Sequence, residues 1–280
     1  MDKRSLHGPA YYADQARRAL GVPEEIHHLE DVPLPIMHTA LGLAVCAVAV
    51  LLRPQSVGTR SAVVGTALLA LGAALVITVY DRLVYPAEVR TGVEATVLPI
   101  AAVIAFAMVV ATPISMPLRA LAGLTTAVII GGVPHLGSLR AVGREGTITR
   151  LLRDAGGVAI LLPVLVAGTA PSLTWWHRAA LLGICVALVT HDTLRTEAMP
   201  LPAAVATSTS IGAIVAGAAL IFPADEAHLG VHAALLLVLW YGLRGLGSAL
   251  FAGRRAVLLC AEYGVFIAAA LVAIRWSATH

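Results

Sequence analysis

Long apolar segments follow one another along this chain, and their length restricts its fold more than any other feature. A helix that crosses a bilayer needs about 20 apolar residues. Segments of roughly this length lie at 34–52, 62–84, 94–112, 115–134, 155–174, 178–193, 201–222, 229–250 and 256–275. Only 12% of the residues are charged, whereas a soluble domain has about 25%. The sequence therefore predicts an all-α, polytopic membrane bundle of about nine transmembrane helices, or seven or eight if a closely spaced pair is re-entrant.

The two ends of the chain differ in character. Residues 1–32 are polar and predict a cytoplasmic cap, either a short amphipathic helix or a partly ordered tail. Residues 33–280 contain the predicted transmembrane bundle. Within it, the segment 134–154 is predicted to be a basic cytoplasmic loop that binds the headgroups of anionic lipids, and not nucleic acid.

The distribution of Arg and Lys predicts the orientation of the chain. With nine spans and a cytoplasmic N-terminus, 13 of the 19 basic residues fall in cytoplasmic segments and 5 in outer segments, and Arg244 lies inside a span. Cytoplasmic segments of membrane proteins are rich in Lys and Arg. We therefore predict that the N-terminus lies inside and the C-terminus outside, with the helices in contact with membrane lipids. The basic residues include a single lysine, Lys3, a composition typical of GC-rich bacterial genes, so we predict a protein of the bacterial cytoplasmic membrane.

The last two apolar segments each contain one charged residue. Arg244 and Glu262 both lie nine residues from Gly253, where the chain is predicted to turn. Equal offsets place the two charges at the same depth. Opposite charges inside a membrane are costly unless they are paired. The sequence thus predicts an ion pair between Arg244 and Glu262, with Tyr241 and Tyr263 completing its hydrogen bonds.

Four hydroxyl residues lie at a similar depth on the seventh predicted span: Thr207, Ser208, Thr209 and Ser210. They have two interpretations. The hydroxyls face the Arg244–Glu262 pair and line a polar cavity, or they donate back to carbonyl groups of their own helix. The first interpretation makes the pair part of a substrate site, and the second makes it a structural tie.

Histidines at the predicted outer surface suggest a metal site as an alternative. His228 and His232 have the i, i+4 spacing that places two imidazoles on one helix face, and His177 is predicted to lie nearby. Such pairs can bind zinc. The spacing resembles that of seven-span zinc hydrolases, which also need a Ser, a His and an Asp on early spans. No early span carries that set, so we predict no metal and no cofactor. His38, His135 and His191 fall at span ends, where helix capping is the expected role rather than haem binding.

Several short motifs lie in the second half of the chain. They are Trp176-His177-Arg178-Ala179-Ala180-Leu181-Leu182, His191-Asp192-x-Leu194-Arg195, Tyr241-Gly242-Leu243-Arg244-Gly245-Leu246, and Arg254-Arg255 followed by Glu262-Tyr263. The stretch from Trp175 to Arg275 resembles an uncharacterised bacterial family of multi-pass membrane proteins, a domain of unknown function. The resemblance implies a helical membrane fold and supplies no activity.

Three functions fit these features. The first is a non-catalytic membrane subunit or scaffold, because no catalytic constellation is present, and its partners would be other membrane subunits. The second is a carrier or flippase-like protein for a small or lipidic molecule, which would use the polar cluster. The third is an enzyme that processes membrane lipids, which would use the outer histidines.

Overall fold

A computed structural model describes residues 40, 42–44, 68, 72, 74–79, 94–111, 116–141, 147–169, 174–221, 229–251 and 256–279. These residues contain seven helices with defined bounds and no β-strand. The helices are α1 Glu94–Ala111, α2 Met116–Ala141, α3 Thr147–Thr169, α4 Trp175–Thr196, α5 Leu201–Ile221, α6 Leu229–Phe251 and α7 Ala256–Thr279. The prediction of an all-α fold is confirmed for this part of the chain.

Each helix overlaps one of the last seven predicted apolar segments, although α3, Thr147–Thr169, begins and ends before the predicted span 155–174. The predicted span 178–193 was too short, because α4 extends from Trp175 to Thr196. The segments Arg178–Thr196, Leu201–Ile221 and Leu229–Phe251 are long and apolar enough to cross a membrane. The predicted cap 1–32 and most of the first two predicted spans lie outside the described residues.

The predicted basic loop at 134–154 is largely helical. Helix α2 continues to Ala141, and α3 begins at Thr147. Only residues 142–146 remain between the two helices, and they lie outside the described part of the chain. The sequence-based boundary was wrong because Arg140, Arg150 and Arg153 lower the local hydropathy, and charged residues are compatible with helical structure.

Helix α4 is central to the bundle. It packs against α1, α3 and α5, most extensively against α5. The backbones of α4 and α5 approach closely at one crossing, where a Cβ atom added to Gly212 would lie 2.5 Å from the carbonyl oxygen of Gly183. Small residues permit such contacts between membrane helices. The sulfhydryl of Cys185, also on α4, donates to the carbonyl oxygen of Ala101 on α1 at 3.4 Å.

The buried core consists of aliphatic side chains from α1 to α7 and includes Leu161, Val186, Leu236 and Ile274. The outer surface is also apolar, with Leu151 of α3 and Val265 of α7 at 62% and 72% exposure. A soluble protein places its charges on this surface. The described bundle also buries one charged pair, Arg153 and Asp192, at 7% and 4% exposure. This distribution is that of a membrane protein.

The two ends of the bundle differ. We define the charged end as the half of the bundle that contains the first halves of α3 and α5 and the last halves of α4 and α6. The contacts of Gly242 with Phe266 and of Gly245 with Tyr263 show that α7 runs antiparallel to α6. Helix α5 is antiparallel to α4, since Gly183 meets Ala216 and Gly212 meets Ala187. Helix α4 is parallel to α6, since Thr190 bonds Trp240 and Glu197 bonds Arg244, so α5 is also antiparallel to α6. The opposite end, which we call the tryptophan end, exposes Trp175, Trp176 and Trp276 at 66%, 53% and 65%. Tryptophans at this position are typical of a membrane–water interface.

Candidate functional site

The predicted ion pair between Arg244 and Glu262 is not formed. The guanidinium of Arg244 lies 2.9 Å from a carboxylate oxygen of Glu197 and 3.5 Å from one of Asp154. Glu262 is exposed on α7. The prediction was right that α6 and α7 are adjacent and antiparallel, and wrong about the partner of the charge.

The rotation of the two helices explains this error. Helix α7 contacts α6 through Tyr263, whose ring lies against Gly245, and through Phe266, which lies against Gly242. One residue along a helix is a rotation of about 100°, so Glu262 points away from the contact made by Tyr263. Arg244 is rotated by the same angle from Gly245. Equal offsets from a turn determine depth, but they do not determine which face each side chain occupies.

Arg244 connects three helices at the charged end. Its guanidinium carbon lies 5.8 Å from the ring centroid of Trp240, one turn earlier on α6. Its two carboxylate partners come from α3 and from the residue that ends α4. The arginine is 15% exposed, whereas Glu197 and Asp154 are 33% and 46% exposed. One cation therefore balances two carboxylates that are partly open to the surroundings.

A second ion pair lies deeper in the bundle and was not predicted. Nε of Arg153 donates to one carboxylate oxygen of Asp192 at 2.8 Å, and the terminal nitrogen Nη2 donates to the other at 2.5 Å. This bidentate geometry fixes both direction and distance. The sequence carried a signal for it, because the two residues lie near facing ends of consecutive antiparallel spans. The sequence-based prediction of a basic loop at 134–154 places Arg153 outside the interior of the bundle.

The hydrogen bond between Trp240 and Thr190 adds a neutral contact to the same end. The indole Nε1 of Trp240 donates to the hydroxyl oxygen of Thr190 at 2.8 Å, and both side chains are buried. The hydroxyl of Thr190 in turn donates to the carbonyl oxygen of Val186. Helices α4 and α6 are thus joined by a bond in which every polar atom has a partner.

The turn between α4 and α5 places Glu197 beside Arg244. The amide of Met199 donates to the carbonyl of Leu194, and the amide of Ala198 donates to that of Arg195, both at 3.1 Å. Together with the buried contact between Leu194 and Met199, this is a Schellman motif. Ala198 occupies the left-handed position with φ 63°, where glycine is usual. The nearby Nη1 of Arg195 donates to the carbonyl of Met199 at 2.7 Å.

The four predicted hydroxyl residues do not converge on Arg244. Ser208 donates to the carbonyl of Val205 and Ser210 to that of Ala206, both within α5. The methyl group of Thr207 faces Gly247 of α6, and Thr209 is exposed. The interpretation in which hydroxyls bond back to their own helix is therefore correct for the two serines.

The two predicted tyrosines also lie elsewhere. Tyr241 is 61% exposed on α6. The ring of Tyr263 packs on Gly245, with its hydroxyl oxygen 3.0 Å from the position of an added Cβ atom. Neither tyrosine has a described bond to Arg244, so the predicted polar cluster is replaced by the network of Arg153, Asp192, Arg244, Glu197 and Asp154, with Trp240 and Thr190 beside it.

Of the three histidines in the predicted alternative metal site, only His232 has a described side chain. His232 is fully buried in the first turn of α6, and neither ring nitrogen has a hydrogen-bond partner. It is not the interfacial side chain that we expected. His228 and the side chain of His177 lie outside the described part of the structure. Among the described residues, no three His, Cys, Asp or Glu side chains are grouped so that they could bind a metal ion.

Comparisons with protein-family models, curated proteins and solved structures find no match for this chain. The resemblance of its second half to an uncharacterised multi-pass family therefore stays a prediction.

Proposed function

We propose that this chain is a non-catalytic, multi-pass protein of the bacterial cytoplasmic membrane that acts as a structural subunit or scaffold. One observation carries the proposal: Arg153 and Asp192 bond each other in bidentate geometry inside the bundle. A catalytic or binding residue keeps at least one polar atom directed at its substrate. Here the strongest polar groups of the interior bond other helices of the same chain.

The arrangement in the membrane is part of this proposal. We propose nine spans, with the N-terminus in the cytoplasm and the C-terminus outside. The charged end would then lie on the cytoplasmic side, as the distribution of Arg and Lys requires. The exposed tryptophans support the placement of the opposite end at the other interface, since aromatic side chains are enriched at both membrane–water interfaces.

The proposal is tested by the composition of the purified protein. The tagged chain, expressed at its natural level, is extracted in mild detergent and weighed intact by native mass spectrometry. We expect a discrete complex that contains a second membrane protein in fixed stoichiometry. A matched preparation of the Arg153→Leu variant should contain less of both chains, because the bundle that holds the partner is destabilised. Isolation of wild-type chains without any other protein contradicts the subunit proposal.

A carrier is the second candidate, and one observation favours it. Arg244 is shared by two carboxylates that are 33% and 46% exposed, so this part of the network is open enough to exchange partners or protons. In liposomes that contain a pH-sensitive dye, a proton-coupled carrier would dissipate a pH gradient, and Arg244→Leu would abolish the flux. The scaffold proposal expects wild-type and variant liposomes to leak at the rate of liposomes without protein.

A further inference from the structure

Helix α7 lies at the edge of the described bundle and leaves one face uncovered. It packs mainly against α6. Within the exposed part of α7, six exposed residues are spaced alternately by four and three positions: Leu258, Glu262, Val265, Ala269, Val272 and Trp276. This spacing places them on one stripe, and the same spacing packs helices against each other in left-handed pairs. We call it the α7 stripe.

Glu262 is the one ionisable residue of the α7 stripe. It lies six residues, about 9 Å, from the first residue of the helix. The neighbouring stripe residues Leu258 and Val265 are each 72% exposed and apolar. Acidic residues inside membrane spans are rare and almost always face other protein groups rather than lipid. The exposed carboxyl of Glu262 therefore indicates that protein covers this stripe.

Helix α5 exposes polar groups at the same depth. A Cβ atom added to Gly247 of α6 would lie 2.9 Å from Cγ2 of Thr207, and one added to Gly245 would lie 2.7 Å from Cε1 of Tyr263. These two contacts align α5 and α7 along α6. At ~1.5 Å per residue, Thr209 and Glu262 lie within about one helical turn of each other in depth.

The exposed face of α5 suits a helix contact. The side chain of Thr209 is exposed, as are Ser210 and Ala213. A Cβ atom added to Gly217 would meet no atom within 4 Å. A hydroxyl can donate to an ionised carboxylate, and it can accept from a protonated carboxyl. Thr209 can therefore bond Glu262 in either protonation state.

We propose that two copies of this chain associate, with the α7 stripe of each copy packed on the exposed face of α5 in the other and Glu262 bonded to Thr209 of the partner subunit. Helices α5 and α7 both run antiparallel to α6, so they are parallel to each other. Two copies inserted in the same orientation, related by a twofold axis along the membrane normal, keep these helices parallel and their polar groups at one depth. Contact between the two α7 stripes would instead place the two Glu262 side chains together, which is unfavourable.

The proposal rests on the membrane arrangement given above, and not on the scaffold role. It is tested by thiol cross-linking between differently tagged copies in membranes. The native cysteines are first replaced in both copies: Cys46→Ala, Cys185→Ala and Cys260→Ala. One copy then carries Ala213→Cys and the other Val265→Cys, which lie one turn beyond Thr209 and Glu262. The control pairs Val265→Cys with Leu121→Cys on α2, whose leucine is 60% exposed.

We expect the first pair to cross-link through a short bifunctional reagent and the control pair not to do so. Glu262→Leu and Thr209→Val should each weaken association about threefold or more, since polar contacts between membrane helices have modest free energies. Glu262→Gln should retain most of the association, because an amide bonds a hydroxyl equally well. The double variant should be no weaker than either single variant, which shows that the two residues act on each other.

The opposite results overturn the proposal. Equal cross-linking of the control pair, or association unchanged in Glu262→Leu, means that the α7 stripe does not pack on α5 of a second copy. A thiol at Val265→Cys that reacts with a membrane-impermeant reagent shows that α7 is not inserted, and the proposed membrane arrangement fails with the dimer. A protected thiol without cross-linking contradicts only the dimer.

Discussion

The charged end and the tryptophan end of this bundle differ in whether a buried polar side chain has a hydrogen-bond partner. At the charged end, the two side chains of the Arg153–Asp192 pair bond each other across α3 and α4. At the tryptophan end, His232 is equally buried, yet neither ring nitrogen has a partner. At the charged end, the paired charges thus fix the register of the helices. The other end depends on the packing of apolar side chains around a polar group that costs free energy.

The largest effect is expected at the buried ion pair. Arg153→Leu leaves the carboxylate of Asp192 buried without its partner, and such losses cost about 3–5 kcal/mol in soluble proteins. Arg244→Leu should cost only about 1 kcal/mol, because its carboxylate partners are partly exposed and screened. Equilibrium unfolding in mixed detergent micelles measures both free energies. Equal losses for the two variants would mean that burial does not distinguish the two arginines.

At the tryptophan end, we expect a substitution to increase the free energy of unfolding rather than decrease it. His232→Leu removes a buried polar group without hydrogen bonds, so the free energy of unfolding should rise by about 1–2 kcal/mol. His191→Leu serves as the control, since His191 is a partly buried histidine near the charged end of α4 and should show no gain. A loss of stability in His232→Leu would indicate that the imidazole makes a stabilising bond.

The structure departs from the sequence-based predictions for reasons that these residues make clear. The lengths of the apolar segments predicted the seven described helices, because a helix that spans a bilayer needs about 20 apolar residues in succession. Side-chain pairing was not predictable from depth alone, because Glu262 and Arg244 are each rotated away from the contact made by Tyr263 and Gly245. The bond between Arg153 and Asp192 joins residues 39 positions apart, and its prediction requires knowing that α3 begins before Arg153.

Glycine contacts show the same limit. Gly242 and Gly245 lie three positions apart on α6, and both lie against α7. Gly217 lies four positions from the small residue Ala213 on α5, but a Cβ atom added to it meets nothing within 4 Å. Gly183 of α4 and Gly212 of α5 meet although they lie on different helices. The spacing of small residues along one helix identifies a face that another helix could approach closely. It does not tell which neighbouring helix, if any, lies against that face.

A smaller effect is expected for the hydrogen bond between Trp240 of α6 and Thr190 of α4. Trp240→Phe removes the indole bond to Thr190, and the free energy of unfolding should fall by about 1 kcal/mol. Trp175→Phe is the matched change at the tryptophan end, where the side chain is 66% exposed, and should be close to neutral. The same unfolding titration compares them, and equal losses would contradict the difference between the two ends.

The smallest effect concerns the turn that positions Glu197. Ala198 has φ 63°, and a residue with a Cβ atom is strained in this region, so Ala198→Gly should stabilise the protein by roughly 0.5–1 kcal/mol. Ala206→Gly, within the helical part of α5, should instead destabilise it by about 1 kcal/mol. Thermal unfolding of the two variants should therefore shift in opposite directions. A lower melting temperature for Ala198→Gly would show that the turn does not favour glycine.

The central claim is that the buried charges tie the helices of one chain together and do not serve a substrate. A double-mutant cycle on Arg153→Leu and Asp192→Leu tests it most directly, with the free energy of unfolding measured for all four proteins. We predict that each single variant is strongly destabilised and that the double variant recovers most of the loss, because no charge remains buried without a partner. Losses that simply add in the double variant would contradict the claim, since each residue would then act through something other than the pair.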